Sequence, residues 1–140
     1  AFHRPCYQST THLYIRDKRA YPRADIAVDG VTEGNTDMEQ TSLTKYQDQP
    51  WWQVDLQRDC RIDRITIYNR TDADTDTLKN FRVSVLDEEG NVVWKHVEKR
   101  VPRPKVTLSA GGAKGRHVKI QLLGQGKLAL AEVIVTGQEL

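Results

Sequence analysis

Two segments far apart in the chain alternate apolar and polar residues, and this pattern most constrains the fold. The first is Pro50-Trp51-Trp52-Gln53-Val54-Asp55-Leu56, and the second is Gly115-Arg116-His117-Val118-Lys119-Ile120-Gln121-Leu122. A period of two, with aromatic and β-branched residues, is typical of strands that bury one face. The alternation recurs over residues 65–68 and 81–85, whereas helical periodicity is nearly absent. The pattern predicts an all-β domain in which at least one tryptophan packs in the core.

Turn signals separate the predicted strands, at Glu89-Gly90-Asn91, Ala110-Gly111-Gly112 and Leu123-Gly124-Gln125-Gly126. Short strands at this spacing favour an antiparallel β-sandwich or jelly roll. Residues 9–49 are mostly polar, and we expect them to form long loops at one end of the sandwich, where such scaffolds carry function. The length fits one domain spanning residues 1–140.

Composition limits the possible binding partners of the chain and its possible location. Lysine and arginine number 21 against 19 acidic residues, a net charge of +2, so no global field favours nucleic acid. No stretch approaches the roughly 18 apolar residues of a membrane helix. No signal peptide opens the chain, so we expect Ala1 to begin a mature or excised domain. Cys6 and Cys60 allow either one disulfide or two buried free thiols.

The two alternating segments resemble the discoidin, or coagulation factor 5/8 type C, family when taken with Ala27-Val28-Asp29-Gly30 and Leu130-Ala131-Glu132-Val133. The resemblance covers almost the whole chain, and the family includes the F-type lectins and several bacterial carbohydrate-binding modules. It implies a galactose-binding-domain-like sandwich and a binding module rather than an enzyme. Our leading hypothesis is a non-catalytic carbohydrate-binding module that belongs, with other domains, to a larger secreted or cell-surface protein.

Two carboxylates in apolar surroundings predict a cation site. Glu132 lies among aliphatic residues whichever strand face is buried, and Asp29 follows Val28 at a glycine turn. A buried carboxylate is costly unless it is paired or binds a cation, and Ca²⁺ mixes carboxylates with backbone carbonyls. Lectin-like members of the family bind a structural calcium with this Asp and Glu. The resemblance implies side-chain ligands Asp29 and Glu132, carbonyls near Ile26, Val31 and Ala131, and a hydroxyl near Thr41. The alternative is that Asp29 caps its turn and Glu132 pairs with an arginine.

A second candidate site begins where the predicted strand 65–68 ends. Asn69-Arg70-Thr71-Asp72 resembles the Arg-x-Asp element of the F-type lectin fucose motif. There the arginine hydrogen-bonds the sugar and the aspartate orients the loop. The trailing basic residue of that motif falls on Thr77, with Lys79 as the nearest replacement, and its sugar-binding histidine is missing. The resemblance implies ligand roles for Arg70, Asp72 and Lys79. The alternative is a salt bridge between Arg70 and Asp72 that only braces the loop.

Aromatic and basic residues of the predicted loops could complete this site. Tyr14, Arg16, Tyr21 and Arg23 lie in the first long loop, and Tyr46 precedes the Trp-Trp strand. Arginine binds carboxylate and sulfate groups through two hydrogen bonds, so we predict a glycan partner that is fucosylated or acidic. The same tyrosines could instead pack the loop onto the sandwich. A protein-interaction or scaffold domain is the second functional hypothesis, and phospholipid binding is a weaker third.

Catalysis is not predicted, because no reactive constellation assembles. The four histidines are scattered without metal-ligand spacing, and neither a nucleophile elbow nor a phosphate loop is present. Asp72, Asp74 and Asp76 alternate along one loop but lack the enclosing apolar pocket that acid catalysis requires. The sequence therefore predicts a module that binds and does not transform its ligand.

Overall fold

The structure, a computed structural model, describes residues 1–12, 22–34, 40–72 and 75–140. Within these residues the regular structure is almost entirely antiparallel strand, with short 3₁₀ helices at Ala24–Val28 and Thr75–Thr77. The strands are β1 (Cys6–Gln8), β2 (Ser42–Leu43), β3 (Gln47–Asp48), β4 (Trp51–Tyr68), β5 (Phe81–Leu86), β6 (Val92–Glu98), β7 (Lys105–Leu122), β8 (Gln125–Gly126), β9 (Ala129–Leu130) and β10 (Glu132–Glu139). Across the described part of the chain, no helix has the length and apolar character needed to span a membrane.

The long strands β4 and β7 pair along most of their length and organise the sandwich. The main sheet runs β1-β4-β7-β5-β6, while β10 pairs with the second half of β4. The β4–β7 register shifts between Asp55 and Cys60 and again between Ile62 and Arg64. Irregularities of this kind bend and twist a sheet, so the two halves of each long strand can serve different layers. The all-β antiparallel sandwich predicted from the alternation is confirmed.

One predicted turn is wrong. The glycines of Ala110-Gly111-Gly112 lie inside β7, which continues from Lys105 to Leu122. Gly111 and Gly112 have φ of 62° and 82°, a conformation that glycine adopts without steric cost. The chain bends at these residues and stays in the sheet, because Ala113 on the far side pairs with Ile62 of β4.

The core explains why the tryptophans differ in role. Trp52 is fully buried with Val54 and Leu56, and its indole Nε1 donates to the Ala24 carbonyl at 2.9 Å. That bond ties the first 3₁₀ helix to β4. Trp51 is half-buried at the surface, where the Lys119 ammonium lies 5.3 Å from its ring centroid. The prediction of at least one core tryptophan is confirmed.

Both cysteines are free thiols. Cys6 and Cys60 are partly buried against the core, and their Sγ atoms lie 3.3 and 3.5 Å from the carbonyls of Arg4 and Arg58. Burial raises the pKa of Cys6 to about 12. Of the two alternatives left open by the sequence, the structure has the free-thiol one.

Candidate functional site

The carboxylates of Asp29 and Glu132 converge where the first 3₁₀ helix meets the start of β10. Glu132 is 3% exposed, and its Oε2 accepts a hydrogen bond from the Gly30 amide at 3.0 Å. The buried Oε1 has no partner among the described residues. Burial, with the negative charge of nearby Asp29 adding to it, raises the pKa of Glu132 to about 8. The Ala1 ammonium lowers this pKa only weakly, and no arginine pairs with Glu132 within the described residues, so the alternative of an arginine partner finds no support there.

The other residues predicted as cation ligands can be located relative to this pair along the chain. Val31 follows the Gly30 turn, and its amide donates to Asp29 Oδ1 at 2.9 Å, so Asp29 caps its own turn, as the first part of the alternative states. Ala131 and Thr41 are both fully buried. Thr41 immediately precedes Ser42 of β2, which pairs with Leu130 of β9, and Ala131 immediately follows Leu130. Ile26 lies in the 3₁₀ helix that ends at Val28, one residue before Asp29.

The donor set fits a hard cation better than a transition metal. Within residues 1–12, 22–34, 40–72 and 75–140, no three His, Cys, Asp or Glu side chains converge. Two carboxylates are available, so a cation would take its remaining ligands from carbonyl and hydroxyl oxygens. Calcium accepts that mixture, whereas zinc and copper prefer nitrogen and sulfur.

The loop that follows Asp29 contacts the Arg-x-Asp loop directly. The Gly34 carbonyl accepts the Thr71 amide at 2.7 Å, and the Glu33 carbonyl accepts the Thr71 hydroxyl at 2.6 Å. Gly34 has a φ of 77°, and a Cβ on it would lie 2.7 Å from the Asn69 carbonyl oxygen. Ala131 also donates its amide to the Tyr68 carbonyl at 2.8 Å. The acidic pair and the Arg-x-Asp loop are therefore joined through three backbone hydrogen-bond acceptors.

Arg70 and Asp72 form a two-pronged ion pair. Arg70 Nε lies 2.9 Å from Asp72 Oδ1, and Arg70 Nη2 lies 3.1 Å from Asp72 Oδ2. Their side chains are 11% and 10% exposed. A geometry of this kind fixes the guanidinium plane, because two parallel bonds allow little rotation. It is compatible with both sequence interpretations, a brace for the loop and a pre-oriented ligand contact.

An open groove lies between the β3–β8 pair and the segment before β5. It is lined by Tyr46, Asp76, Thr77, Lys79, Gln125 and Lys127, and is called the Tyr46 groove below. The Tyr46 ring is exposed, and its hydroxyl lies 3.5 Å from Gln125 Oε1. Asp76 is held by Arg103, whose Nη2 lies 2.9 Å from Oδ1. The groove offers an apolar ring face together with amide, hydroxyl and ammonium groups.

Pairing between short strands assembles the Tyr46 groove. Gln47 of β3 lies opposite Gly126 of β8, and Asp48 lies opposite Gln125. The Gln49 amide adds a bond to the Gly124 carbonyl at 2.8 Å. Gln125, Lys127 and Asp76 were not predicted as site residues. Two-residue strands show no usable alternation, so the sequence carried no signal that these segments would meet.

The remaining predicted ligand residues are not all in this groove. Tyr46 and Lys79 line it together, while Arg70 and Asp72 pair in the loop that precedes the second 3₁₀ helix. Arg23 lines a different depression, near His3 and Asp29, and its Nε lies 3.3 Å from Asp25 Oδ1. Tyr14, Arg16 and Tyr21 lie outside the described residues.

Comparison with solved structures identifies close structural relatives. A fucose-binding module from Streptococcus pneumoniae is 34% identical with a TM-score of 0.88, over 99% of this chain and 94% of that one. The lectin domain of lectinolysin, solved with Lewis B antigen, is 28% identical with a TM-score of 0.88, over 98% and 94% of the two chains. An F-lectin from striped bass (Morone saxatilis) serum is 27% identical with a TM-score of 0.83. The match covers 98% of this chain and 47% of the striped bass chain.

Sequence comparison gives the same family. No curated protein sequence is significantly similar to the chain. Residues 27–120 match the F5/F8 type C family model described as a NedA-like, galactose-binding domain. The matched range contains β2 to β6, most of β7, Asp29, Arg70 and the Tyr46 ring. The resemblance stated from the sequence is confirmed, and the chain belongs to the F5/F8 type C family of NedA-like, galactose-binding domains.

Proposed function

We propose that this domain is a non-catalytic carbohydrate-binding module whose ligand occupies the Tyr46 groove and contacts the Arg70 loop, which precedes the groove residues Thr77 and Lys79 in the chain. The observation that carries the proposal is the exposed Tyr46 ring beside Gln125, Thr77 and Lys79. An aromatic face covers the C–H surface of a sugar, while amide and hydroxyl groups bind its hydroxyls. Relatives solved as a fucose-binding module and as a lectin domain with Lewis B antigen support this function. A fucosylated or acidic glycan is the proposed partner.

The pairing of the acidic side chains in the Arg70 loop and in the Tyr46 groove supports binding rather than hydrolysis. Asp72 is engaged by Arg70, and Asp76 is engaged by Arg103. A glycosidase needs one carboxyl that can act as an acid in an apolar setting and a second that can act as a base or nucleophile. Both aspartates are instead paired with guanidinium groups, an arrangement suited to holding loops in place.

The binding proposal is tested on a glycan array with the labelled domain, in calcium and in a chelator. We expect a defined set of glycans to retain the domain, and Arg70→Ala to reduce that retention at least about tenfold, because a charge-assisted contact contributes about 1.5–3 kcal/mol. The matched control is Arg82→Ala. Arg82 lies on β5 and donates to Gln121 Oε1 at 3.0 Å, away from the Arg70 loop.

Two results would contradict this assignment. Full retention by Arg70→Ala would remove Arg70 from the site. Equal loss of retention and of melting temperature in Arg70→Ala and Asp72→Ala would favour the brace interpretation, in which the ion pair only holds the loop.

We further propose that Asp29 and Glu132 hold a structural calcium, with the carbonyls of Ile26, Val31 and Ala131 and the hydroxyl of Thr41 as candidate partners. The buried, partnerless Oε1 of Glu132 and its closeness to a second carboxyl support this assignment. When bound, the ion would supply a positive charge beside both carboxyls, where the described residues provide only the weak effect of the Ala1 ammonium on Glu132. The Gly34 and Glu33 carbonyls, bonded to Thr71, would extend its effect to the Arg70 loop.

Thermal unfolding with and without calcium tests this second proposal. We expect chelation to lower the melting temperature by several degrees, because a ligand that binds only the folded state stabilises it. Glu132→Gln should abolish the calcium-dependent shift, and Asp25→Asn should keep it, since Asp25 is exposed and paired with Arg23. An unchanged melting temperature in the wild-type protein at millimolar calcium would refute the site.

A protein-interaction surface is the second candidate function, and one feature favours it. On β6, which ends the main sheet among the described strands, Val92, Val93 and Val97 are 55%, 46% and 42% exposed. Exposed apolar residues on an edge strand are suited to contact with another domain or protein. A larger secreted or cell-surface parent protein, as proposed from the sequence, would provide such a neighbour.

A further inference from the structure

The Tyr46 groove carries two lysines whose charges are not matched. Lys79 and Lys127 both line it, and neither ammonium forms an ion pair or hydrogen bond within the described residues. The acid in the groove, Asp76, is already bound by Arg103. The groove therefore presents net positive charge beside the exposed Tyr46 ring.

Both lysines extend from firmly held backbone. Lys79 lies between two fully buried residues, Leu78 directly before it and Phe81 two residues after it. Lys127 precedes Leu128, whose amide donates to the buried Thr44 hydroxyl at 2.9 Å. A ligand would have to order the lysine side chains but not their backbone, which limits the entropic cost of binding.

The chemistry of these groups distinguishes an anionic ligand from a neutral one. A lysine ammonium is a compact, strongly hydrated point charge, and it gains most from an anion. Two ammonium groups beside one groove also repel each other, and an anion between them relieves that repulsion. Planar amide groups such as that of Gln125 are better suited to the hydroxyls of a neutral sugar.

We propose that the Tyr46 groove is a subsite for an anionic substituent on a saccharide, a carboxylate or a sulfate ester, bound by Lys79 and Lys127. The Tyr46 ring would cover the apolar face of the sugar that bears the charge. This inference rests on the proposed carbohydrate-binding function and adds the charge of the ligand and the residues that select it. The residues that select for charge, Lys79 and Lys127, are distinct from the Arg70–Asp72 pair.

Calorimetry with matched saccharides tests the subsite. The probes are N-acetyllactosamine, its α2,3-sialylated form and its 6-sulfated form, each at low and at moderate sodium chloride concentration. We expect at least one anionic form to bind about tenfold more tightly than the neutral parent at low salt, as two partly exposed charge contacts allow. The preference should shrink as salt is added, because screening weakens exposed charge pairs.

Charge-neutral variants test whether Lys79 and Lys127 cause the preference for anionic saccharides. Lys79→Gln with Lys127→Gln should bring the ratio of anionic to neutral affinity close to one. The matched control, Lys95→Gln with Lys114→Gln, removes two exposed charges from β6 and β7 and should keep the preference. Melting temperatures of both double variants check that the fold is retained.

The outcomes separate the two proposals. Binding of the neutral saccharide without an anionic preference, or a preference that survives in the Lys79/Lys127 double variant, would overturn the subsite and leave the carbohydrate-binding function standing. Failure of a full glycan array, charged and neutral, would overturn both. Salt-sensitive pelleting with anionic phospholipid vesicles, lost in the same double variant and without saccharide binding, would reassign the lysines to a membrane surface and refute the subsite.

Discussion

Arg70 and Glu132 are both largely buried, but among the described residues Arg70 forms an ion pair and Glu132 does not. Arg70 meets Asp72 through two bonds, so its charge is matched within the loop. Glu132 has one amide donor and an acidic neighbour, and burial raises its pKa to about 8. At neutral pH these effects favour the protonated, uncharged form of Glu132, and a bound cation would favour its ionised form. This contrast is the reason that we assign a cation to Glu132 and none to Asp72.

Gly34 lies in the backbone contact between the loop that follows Asp29 and the Arg70 loop. We expect Gly34→Ala to destabilise the domain by about 3 kcal/mol, from backbone strain at positive φ and from collision with the Asn69 carbonyl. Gly90→Ala is the matched control, since Gly90 has a similar φ of 88° and nothing within 4 Å of the added Cβ. Its cost should be about 1 kcal/mol, from strain alone. Chemical denaturation measures both, and equal costs would show that the close contact at Gly34 is unimportant.

Among the elements, the shortest strands matter most for the groove. β2 pairs with β9 and β3 pairs with β8, each over two residues, and these pairs set the position of Tyr46 relative to Lys127. Two-residue pairs contribute few backbone bonds, so side chains must support them. Thr44 does so: it is fully buried, accepts the Leu128 amide at 2.9 Å and donates to the Lys45 carbonyl at 3.0 Å.

Thr44→Val therefore tests the support of the groove. Valine has nearly the same shape but leaves the buried Leu128 amide without its side-chain acceptor, at a cost of about 2 kcal/mol. We expect lower stability in denaturation and weaker saccharide binding, because Tyr46 and Lys127 flank the lost contact. Thr66→Val is the control, since Thr66 bonds Thr107 at an exposed position and should change stability by less than about 0.5 kcal/mol. Unaltered stability of Thr44→Val would contradict this account of the loops.

The elements also show how far sequence reasoning reaches. The strands β4, β5 and β7 were predictable because each alternates long enough for a period of two to be visible. Gly111 and Gly112 predict a turn, whereas the structure has a bend within β7. A glycine pair permits both conformations, and only the pairing of β7 with β4 distinguishes them. Asp29 and Glu132 were noticed because carboxylates in apolar segments are rare. Gln125 and Lys127 were missed, since their meeting with Tyr46 depends on contacts between residues far apart in the chain.

For the whole molecule, a single sandwich presents two linked features. The acidic pair adjoins the Arg70 loop through Glu33, Gly34 and Thr71. The Arg70 loop leads into the 3₁₀ helix and the segment that lines the Tyr46 groove. We propose that the paired strands β4 and β7 carry these loops, that a cation at the acidic pair would hold the loops in place, and that the loops bind the saccharide. The exposed valines of β6 lie on a separate strand and are available for a different contact.

Saccharide binding at the Tyr46 groove is tested by titrating a ¹⁵N-labelled domain in calcium with 2′-fucosyllactose and with 3′-sialyllactose and following the amide chemical shifts. We expect the shift changes to cluster at Tyr46, Thr71, Lys79 and Lys127 and to saturate with ligand, while the amides of β6 stay unchanged. Shifts confined to Val92–Glu98, or none with either saccharide at millimolar concentration, would contradict binding at this groove.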